Sequence, residues 1–297
     1  MNIFATGWSE GFDGPGRRFV VYLKGCNFRC RWCANPESIS PFPEMLFYPS
    51  RGRNPETACP HSAIRVTSAG AGINRRICKN CSGRECITVW KHPSFELAGK
   101  TIMPEDLAAK CSQLKPLFGK DGGVAFGGGE PLRQIGDLLK TIRLLRADKI
   151  DTVVETNAAA RDFRRIIGRA DELICDLKCL SVTAHREWTG HDNKLVLNNL
   201  REAASGQKRM RIRIPMIPGF NDNDHEISRM ADYLAGIKCK RKRLKVEIMR
   251  MHHLGRPKYA ALGLEYPMAG INEPAMAAAA RFRGKLEAAG LDAEVVS

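Results

Sequence analysis

KGCNFRCRWCANPE, residues 24–37, places Cys26, Cys30 and Cys33 within eight residues. Thiolate-held metal sites usually take four ligands, so this loop raises the question of what fills the fourth place. Three thiolates from one short loop hold three corners of a cubane 4Fe–4S cluster and leave one iron open to a substrate. A zinc site completed by a histidine or a distant cysteine is the alternative, but zinc motifs more often use C-x2-C pairs, so the triplet favours iron–sulfur. RRFVVYLK (17–24) reads as a strand, so the cysteines follow a strand's C-terminal end.

Outward from this loop, the texture changes. Residues 41–100 hold six prolines and four of the chain's eleven cysteines, with little periodicity. They read as a small inserted module stapled by metal rather than by its own core. From residue 101, helical and strand patterns alternate. Strands are expected at GGVAF (122–126), DTVVE (151–155), ELICDL (172–177), RMRIRIPMI (209–217) and RLKVEIM (243–249). Helices are expected at 101–114, 133–146, 161–169, 193–204, 225–236 and 273–290. About six short apolar strands alternating with helices give an α/β fold with a parallel sheet, open or closed.

The 297 residues carry a formal charge of +15, densest in KCKRKRLK (238–245). Such a surface suits nucleic acid, an anionic membrane or an acidic protein, or is simply solvated. No stacking-aromatic pattern accompanies it. No apolar run is long enough to span a membrane, and no basic n-region precedes an apolar h-region, so the cytoplasm is the expected location. In a reducing compartment, clustered cysteines bind metal or do chemistry. Cys111, Cys175, Cys179 and Cys239 are scattered and read as buried or incidental.

The spacing C-x3-C-x2-C, with Trp32 before the last cysteine, resembles the signature of radical S-adenosylmethionine (SAM) enzymes. The resemblance implies a partial (β/α)6 barrel formed by residues 1–40 and 101–297, with SAM chelating the open iron. More motifs follow in order. FDGPGRRF (12–19) resembles the entry of glycyl-radical-enzyme activating enzymes and marks Asp13 and Arg18 as substrate-contact candidates. VAFGGGEP (124–131) resembles S-G-G-E-P, implying that Gly128, Gly129 and Glu130 hold the SAM amino group; Gly127 stands where serine is usual. VVETN and ICDLKCL imply a SAM-carboxylate contact from Lys178, and a monovalent cation at Glu155, Thr156 and Asp176. HREWTGHDN (185–193) resembles H-x3-T-G-x2-N. RIPMIPGFND implies Arg213 near the SAM ribose. MRMHHLGRPKYAALG implies His252 there too, although Met249-Arg250-Met251 replaces Leu-Pro-Tyr.

Activating enzymes of this branch often carry a ferredoxin-like insert with two clusters, in which the fourth cysteine of each run ligates the other cluster. Here ACP leaves Cys59 alone, and Cys78, Cys81 and Cys86 lack a following Cys-Pro. The resemblance therefore implies one auxiliary 4Fe–4S cluster on Cys59, Cys78, Cys81 and Cys86, with zinc on the same four cysteines as the alternative. The implied partners are a glycyl radical enzyme as protein substrate and a flavodoxin or ferredoxin-type electron donor. Two other functions stay in view: a radical SAM catalyst for a small molecule or peptide, and a zinc-stabilised basic nucleic-acid-binding protein.

Overall fold

The computed structural model describes residues 1–68, 70–237 and 244–296. Most of the basic run, together with Cys239, lies outside the described residues. β1 (Asn2–Glu10) and β2 (Arg17–Leu23) form an antiparallel hairpin. Four short strands follow: β3 (Glu44–Phe47), β4 (Ile64–Thr67), β5 (Gly70–Ile73) and β6 (Phe95–Ala98). Helices α1 (Arg75–Asn80) and α2 (Glu85–Thr88) lie between β5 and β6. β3 pairs with β6 and β4 with β5, separately from the main sheet. After β7 (Lys100–Thr101) come α3 (Pro104–Gln113), β8 (Gly123–Gly128), α4 (Ile135–Ala147), β9 (Asp151–Thr156) and β10 (Glu172–Asp176). Then follow α5 (Val182–Thr189), α6 (Lys194–Gly206), β11 (Arg209–Met216), α7 (Asp224–Ala235), β12 (Lys245–Arg250), α8 (Arg256–Leu262), α9 (Met276–Ala288) and β13 (Asp292–Val296).

The main sheet runs β13-β12-β11-β10-β9-β8-β2-β1-β7. From β2 through β8 to β13, neighbours pair in parallel. The six strands expected from sequence are β2 and β8 to β12, adjacent in chain order with crossovers between them. That winding is a partial (β/α) barrel, with no pairing that closes it among the described residues.

Two strands go beyond the sequence reading. β1 has Gly7 at its centre and only intermittent burial, so it carries no clear period; pairing with β2 makes it a strand. β13 is five residues at the chain end, aligned by β12. The helix expected at 161–169 is a single 3-10 turn, Phe163–Arg165. Phe163 and Ile166 bury at a spacing of three, and Gly168 at φ +71 ends the turn.

Strand alternation sorts the core into two faces. Phe19, Val21, Leu23, Val124, Phe126, Leu173, Ile212 and Ile248 join the outer core under the helices. The inner face is different. Val20, Ala125, Val153 and Ile174 form a small apolar layer. Around it, Arg211 pairs with Glu172 and with Glu247 at 2.7 Å, and Arg213 pairs with Glu247 at 2.9 Å and Glu155 at 2.8 Å. Arg18 and Arg209 share Asp151. The barrel is therefore filled by interlocked ion pairs, which are stable only while every buried charge keeps its partner.

Candidate active site

The cysteine loop leaves β2 at Gly25, whose φ of +94 turns the chain sharply. The Gly25 and Cys26 N–H groups donate to Ser38 and Ile39 carbonyls at 2.7 and 3.0 Å, closing the loop's base. Its far side hangs on the end of α5: Arg29 N–H donates to Thr189 O at 2.7 Å, and Arg31 N–H to Trp188 O at 3.1 Å. Phe28 packs edge-on to His185 and stacks on His191, and Trp32 packs against Phe220. The 185–193 motif is therefore the scaffold of the cysteine loop, a role its spacing alone does not announce.

Within that scaffold His185 is 1% exposed; its Nδ1–H donates to His191 O at 2.5 Å, and its Nε2 is buried without a partner. Burial pushes its pKa down to about 4, against the pull of the His191 carbonyl. A histidine held neutral in this way stabilises the fold above its unfolded value near 6.5, and that contribution is lost as pH falls toward 4. In cluster-free protein, the thermal-stability gap between wild type and His185→Gln should shrink by roughly 2 kcal/mol from pH 7 to pH 4.5. An unchanged gap would show that the imidazole's charge is not what the loop scaffold excludes.

A cavity of about 380 Å3 opens in front of the cysteines. Its walls carry Cys26, Cys30 and Cys33 from the loop, Gly128 and Gly129 at the C-terminal end of β8, and Glu155, Thr156 and Asn157 at that of β9. Asp176 ends β10 and Lys178 follows it, Arg213 lies on β11, and His252 follows β12. Asp13 closes another side, because the 11–16 loop folds back against the sheet's inner face: Phe12 O accepts from Arg213 Nη2 at 2.6 Å. Burial raises the Cys26 and Cys30 thiols to about 12 and Cys33 to about 11. As thiols they stay protonated, so a metal group must displace those protons on binding.

Two of the sequence-marked residues lie off this wall. Glu130 is 1% exposed; one carboxylate oxygen accepts from Leu132 N–H and the Thr156 hydroxyl, the other from Asn157 N–H at 2.8 Å. Burial lifts its pKa to about 7 against those three bonds. Its carboxylate pins β8 to the end of β9, and the adjacent Gly128 and Gly129 line the cavity. A Cβ on Gly129 would stand 2.6 Å from Gly25 O, so β8 can approach the loop's base only as glycine. Arg18 is buried beside Asp151 and the Pro15 carbonyl, at the N-terminal end of β9.

Lys178 and Glu155 are paired. Lys178 Nζ donates to Asp176 at 2.7 Å and lies 5.8 Å over the Trp32 ring. Burial opposes its charge, but Asp176, by charge and hydrogen bond, holds the ammonium above its ordinary value. Burial raises Glu155, and Asp13 and Asp176 add to the rise, against the Arg213 guanidinium. Among the wall residues not marked from sequence are Asn157, Tyr22 and Met249. Asn157 Nδ2 lies 3.9 Å from Cys26 Sγ and 2.8 Å from Asn27 Oδ1. Tyr22, pushed up to about 12 by burial with Asp13 and Glu155 adding, lines the inner face, and Met249 lines the same cavity. The strand alternation that places Tyr22 inward was legible; Asn157's reach to the sulfur was not.

A second cavity lies in the cysteine-rich stretch. Cys59, Cys78, Cys81 and Cys86 all line it, with Met45, Ile64 and Phe95 as apolar walls. Asn74 caps α1 by accepting from Arg76 and Ile77 N–H, a contribution of about 1 kcal/mol, and so sets Cys78 on the helix and Cys81 at its end. Ala63 N–H donates to Cys59 Sγ at 3.4 Å and Arg84 N–H to Cys81 Sγ at 3.3 Å.

A sequence profile of the Radical SAM superfamily matches residues 20–231. The 4-hydroxyphenylacetate decarboxylase activating enzyme of Clostridioides difficile (strain 630) is 32% identical, over 86% of this chain and 83% of its own. The isethionate sulfite-lyase activating enzyme of Desulfovibrio desulfuricans is 33% identical, over 88% of this chain and 86% of its own. A radical SAM methyltransferase from Sphaerobacter thermophilus superposes with a TM-score of 0.57 at 15% identity, covering 98% of this chain and 68% of its own. That last likeness is one of fold alone.

Proposed function

The chain belongs to the glycyl-radical-enzyme activating enzymes of the radical SAM superfamily, which cleave SAM to place a radical on a partner enzyme, and from that membership we propose how its residues divide the work. Cys26, Cys30 and Cys33 hold a 4Fe–4S cluster whose open iron takes SAM. The observation that carries this is their convergence, with Gly128, Gly129, Asp176 and Lys178, on one cavity. The donor set fits: three thiols on one wall, one of them within reach of an amide donor, and a cation beside them. Bound there, cluster and SAM supply the electron and the hydrogen-abstracting radical, chemistry that belongs to the cofactors.

The protein's own residues orient and exclude. The Lys178 ammonium, held charged by Asp176, offers a partner for the SAM carboxylate. The backbone of Gly128 and Gly129 receives the amino group, and Glu130 acts behind them by fixing that backbone. Arg213 and His252 stand on the ribose side; Arg213 already joins Glu155, Glu247 and the Phe12 carbonyl, and so sets the wall that the ribose meets. Glu155, Thr156 and Asp176 are the candidate monovalent-cation ligands. Asp13 faces the partner's glycine. Arg18 acts from below, through the chain turn at Pro15.

Residues 41–100 are the inserted module, with residues 1–40 and 101–297 as the barrel. Support comes from the module's own apolar cluster of Met45, Phe47, Ala58, Ile64 and Phe95. Its four cysteines hold one auxiliary 4Fe–4S cluster. A zinc ion at 2.3 Å from four sulfurs draws them to about 3.8 Å of one another. Among the described residues, only His61, Cys81 and Glu85 offer three or more ligand atoms within 4.8 Å of one another, so no three of the four sulfurs are that close. This wider spacing favours the larger cubane.

The partner is a glycyl radical enzyme, and a small-molecule substrate loses ground to the activating enzymes that this chain matches along most of its length. The donor is a flavodoxin or ferredoxin-type protein drawn by the +15 charge; activation insensitive to salt would count against that. The ten described cysteines are free, which suits the reducing cytoplasm. No described helix is long and apolar enough to cross a membrane.

Iron, sulfide and zinc per chain after anaerobic reconstitution test this division. About eight irons, falling to about four in Cys59→Ser, is the expected result. About four irons and one zinc in the wild type would keep the radical enzyme and remove the auxiliary cluster.

A further inference from the structure

Two residues at the auxiliary cavity have no part in the four-cysteine site. His61 and Glu85 both line that cavity beside Cys81. His61 Nε2 lies 3.5 Å from a Glu85 carboxylate oxygen, and that same oxygen lies 4.0 Å from Cys81 Sγ. All three ligand atoms fall within 4.8 Å of one another. A tetrahedral zinc ion, with sulfur at 2.3 Å and nitrogen and oxygen at about 2.0–2.2 Å, spaces its ligands by roughly 3.3–3.8 Å. The triad is therefore close to zinc dimensions, whereas the four sulfurs are more widely spread. The ligand chemistry agrees: one thiolate, one imidazole and one carboxylate suit zinc, while iron–sulfur clusters prefer thiolates throughout.

We propose that the module carries an alternative zinc site, built from His61 Nε2, Cys81 Sγ and a Glu85 carboxylate oxygen, with water completing the tetrahedron. Zinc binding replaces the Cys81 thiol proton, which leaves to solvent, and no electron is transferred. The Arg84 N–H aimed at Cys81 Sγ stabilises the resulting thiolate. The site rests on the auxiliary-cluster reading in one respect only: both use Cys81, so the module holds zinc or the cluster and not both. His61 is 47% and Glu85 35% exposed, so the triad is accessible and its substitution does not open the core.

The test is zinc binding to cluster-free, full-length protein, in a background with Cys26, Cys30 and Cys33 all changed to serine so that only the module is counted. Titration against a chromophoric chelator should show His61→Ala and Glu85→Gln each weakening zinc by roughly tenfold or more. Cys59→Ser and Cys86→Ser should leave its affinity within about twofold. X-ray absorption at the zinc edge should show one sulfur with nitrogen and oxygen neighbours. Three or four sulfurs, or a Cys59→Ser loss matching that of His61→Ala, would overturn the proposal. With the triplet intact, zinc added before reconstitution should hold the iron count near four in wild type but not in His61→Ala. Failure of the cluster reading shows separately, as an iron count that Cys59→Ser does not change.

Discussion

Cys30→Ser is expected to abolish reductive SAM cleavage, with 5′-deoxyadenosine formation falling by about a thousandfold or more, at least ~4 kcal/mol of barrier. The size of the loss follows from what the chain itself contributes. Its residues position and shield, and none of them substitutes for a missing cluster. Cys30 packs with the outer core beneath the loop, and the loop's position is set by Ser38, Ile39, Thr189 and Trp188 through backbone bonds that serine does not touch. The fold should therefore survive while iron at the triplet is lost. Cys111→Ala, in the outer core away from the cavity, is the control and should leave cleavage unchanged. Retained cleavage in Cys30→Ser would mean that the three thiols do not act as one ligand set.

The second large effect is on stability. Arg213 is 3% exposed and is the shared cation of two carboxylates, Glu155 and Glu247. Its third contact, from Nη2 to the Phe12 carbonyl, ties the 11–16 loop to the sheet. Arg213→Met leaves Glu155 without its ion-pair partner, and leaves Glu247, itself 2% exposed, to Arg211 and to Lys245 at 4.0 Å. Removing one partner of such a buried pair costs about 3–5 kcal/mol. For a chain of this size that is a fall in Tm on the order of 10 °C. Arg213→Lys should recover only part of it, because an ammonium cannot serve three acceptors in one plane as the guanidinium does. The double variant Arg213→Met with Glu155→Gln should be less destabilised than Arg213→Met alone, since the carboxylate that loses its only cation among the described residues is then neutral. A double variant as unstable as the sum of its parts would show that the ion pair is not the source of the loss.

How much of this was legible in the sequence differs by level. The parallel strands announced themselves as short apolar runs between helical periods, since burial on both faces demands them. β1 and β13 did not, because pairing rather than pattern makes them strands. The cysteine loop, the glycine pair and Lys178 were legible as motifs, and the parallel direction of β2, β8 and β10 brought them to one end of the sheet. Glu130 shows the limit of that reading. A motif names a residue, but only the packed structure shows its carboxylate turned to Thr156 and Asn157 rather than to the cavity. His185 and Thr189 show the converse: residues whose purpose is to hold another loop carry no chemical signature of their own. His61 and Glu85 also lay outside any motif, because His61 comes near Cys81 only through how the chain turns after Cys59, and Glu85 carries no ligand signal of its own.

The most direct measurement is the electron paramagnetic resonance spectrum of reduced, reconstituted Cys59→Ser protein, in which the triplet cluster is the one expected to remain, with and without SAM. SAM bound at an open iron should change the spectrum, and Lys178→Ala should raise the SAM concentration needed. A spectrum that SAM leaves unchanged would contradict the central claim that the fourth place at Cys26, Cys30 and Cys33 belongs to the substrate.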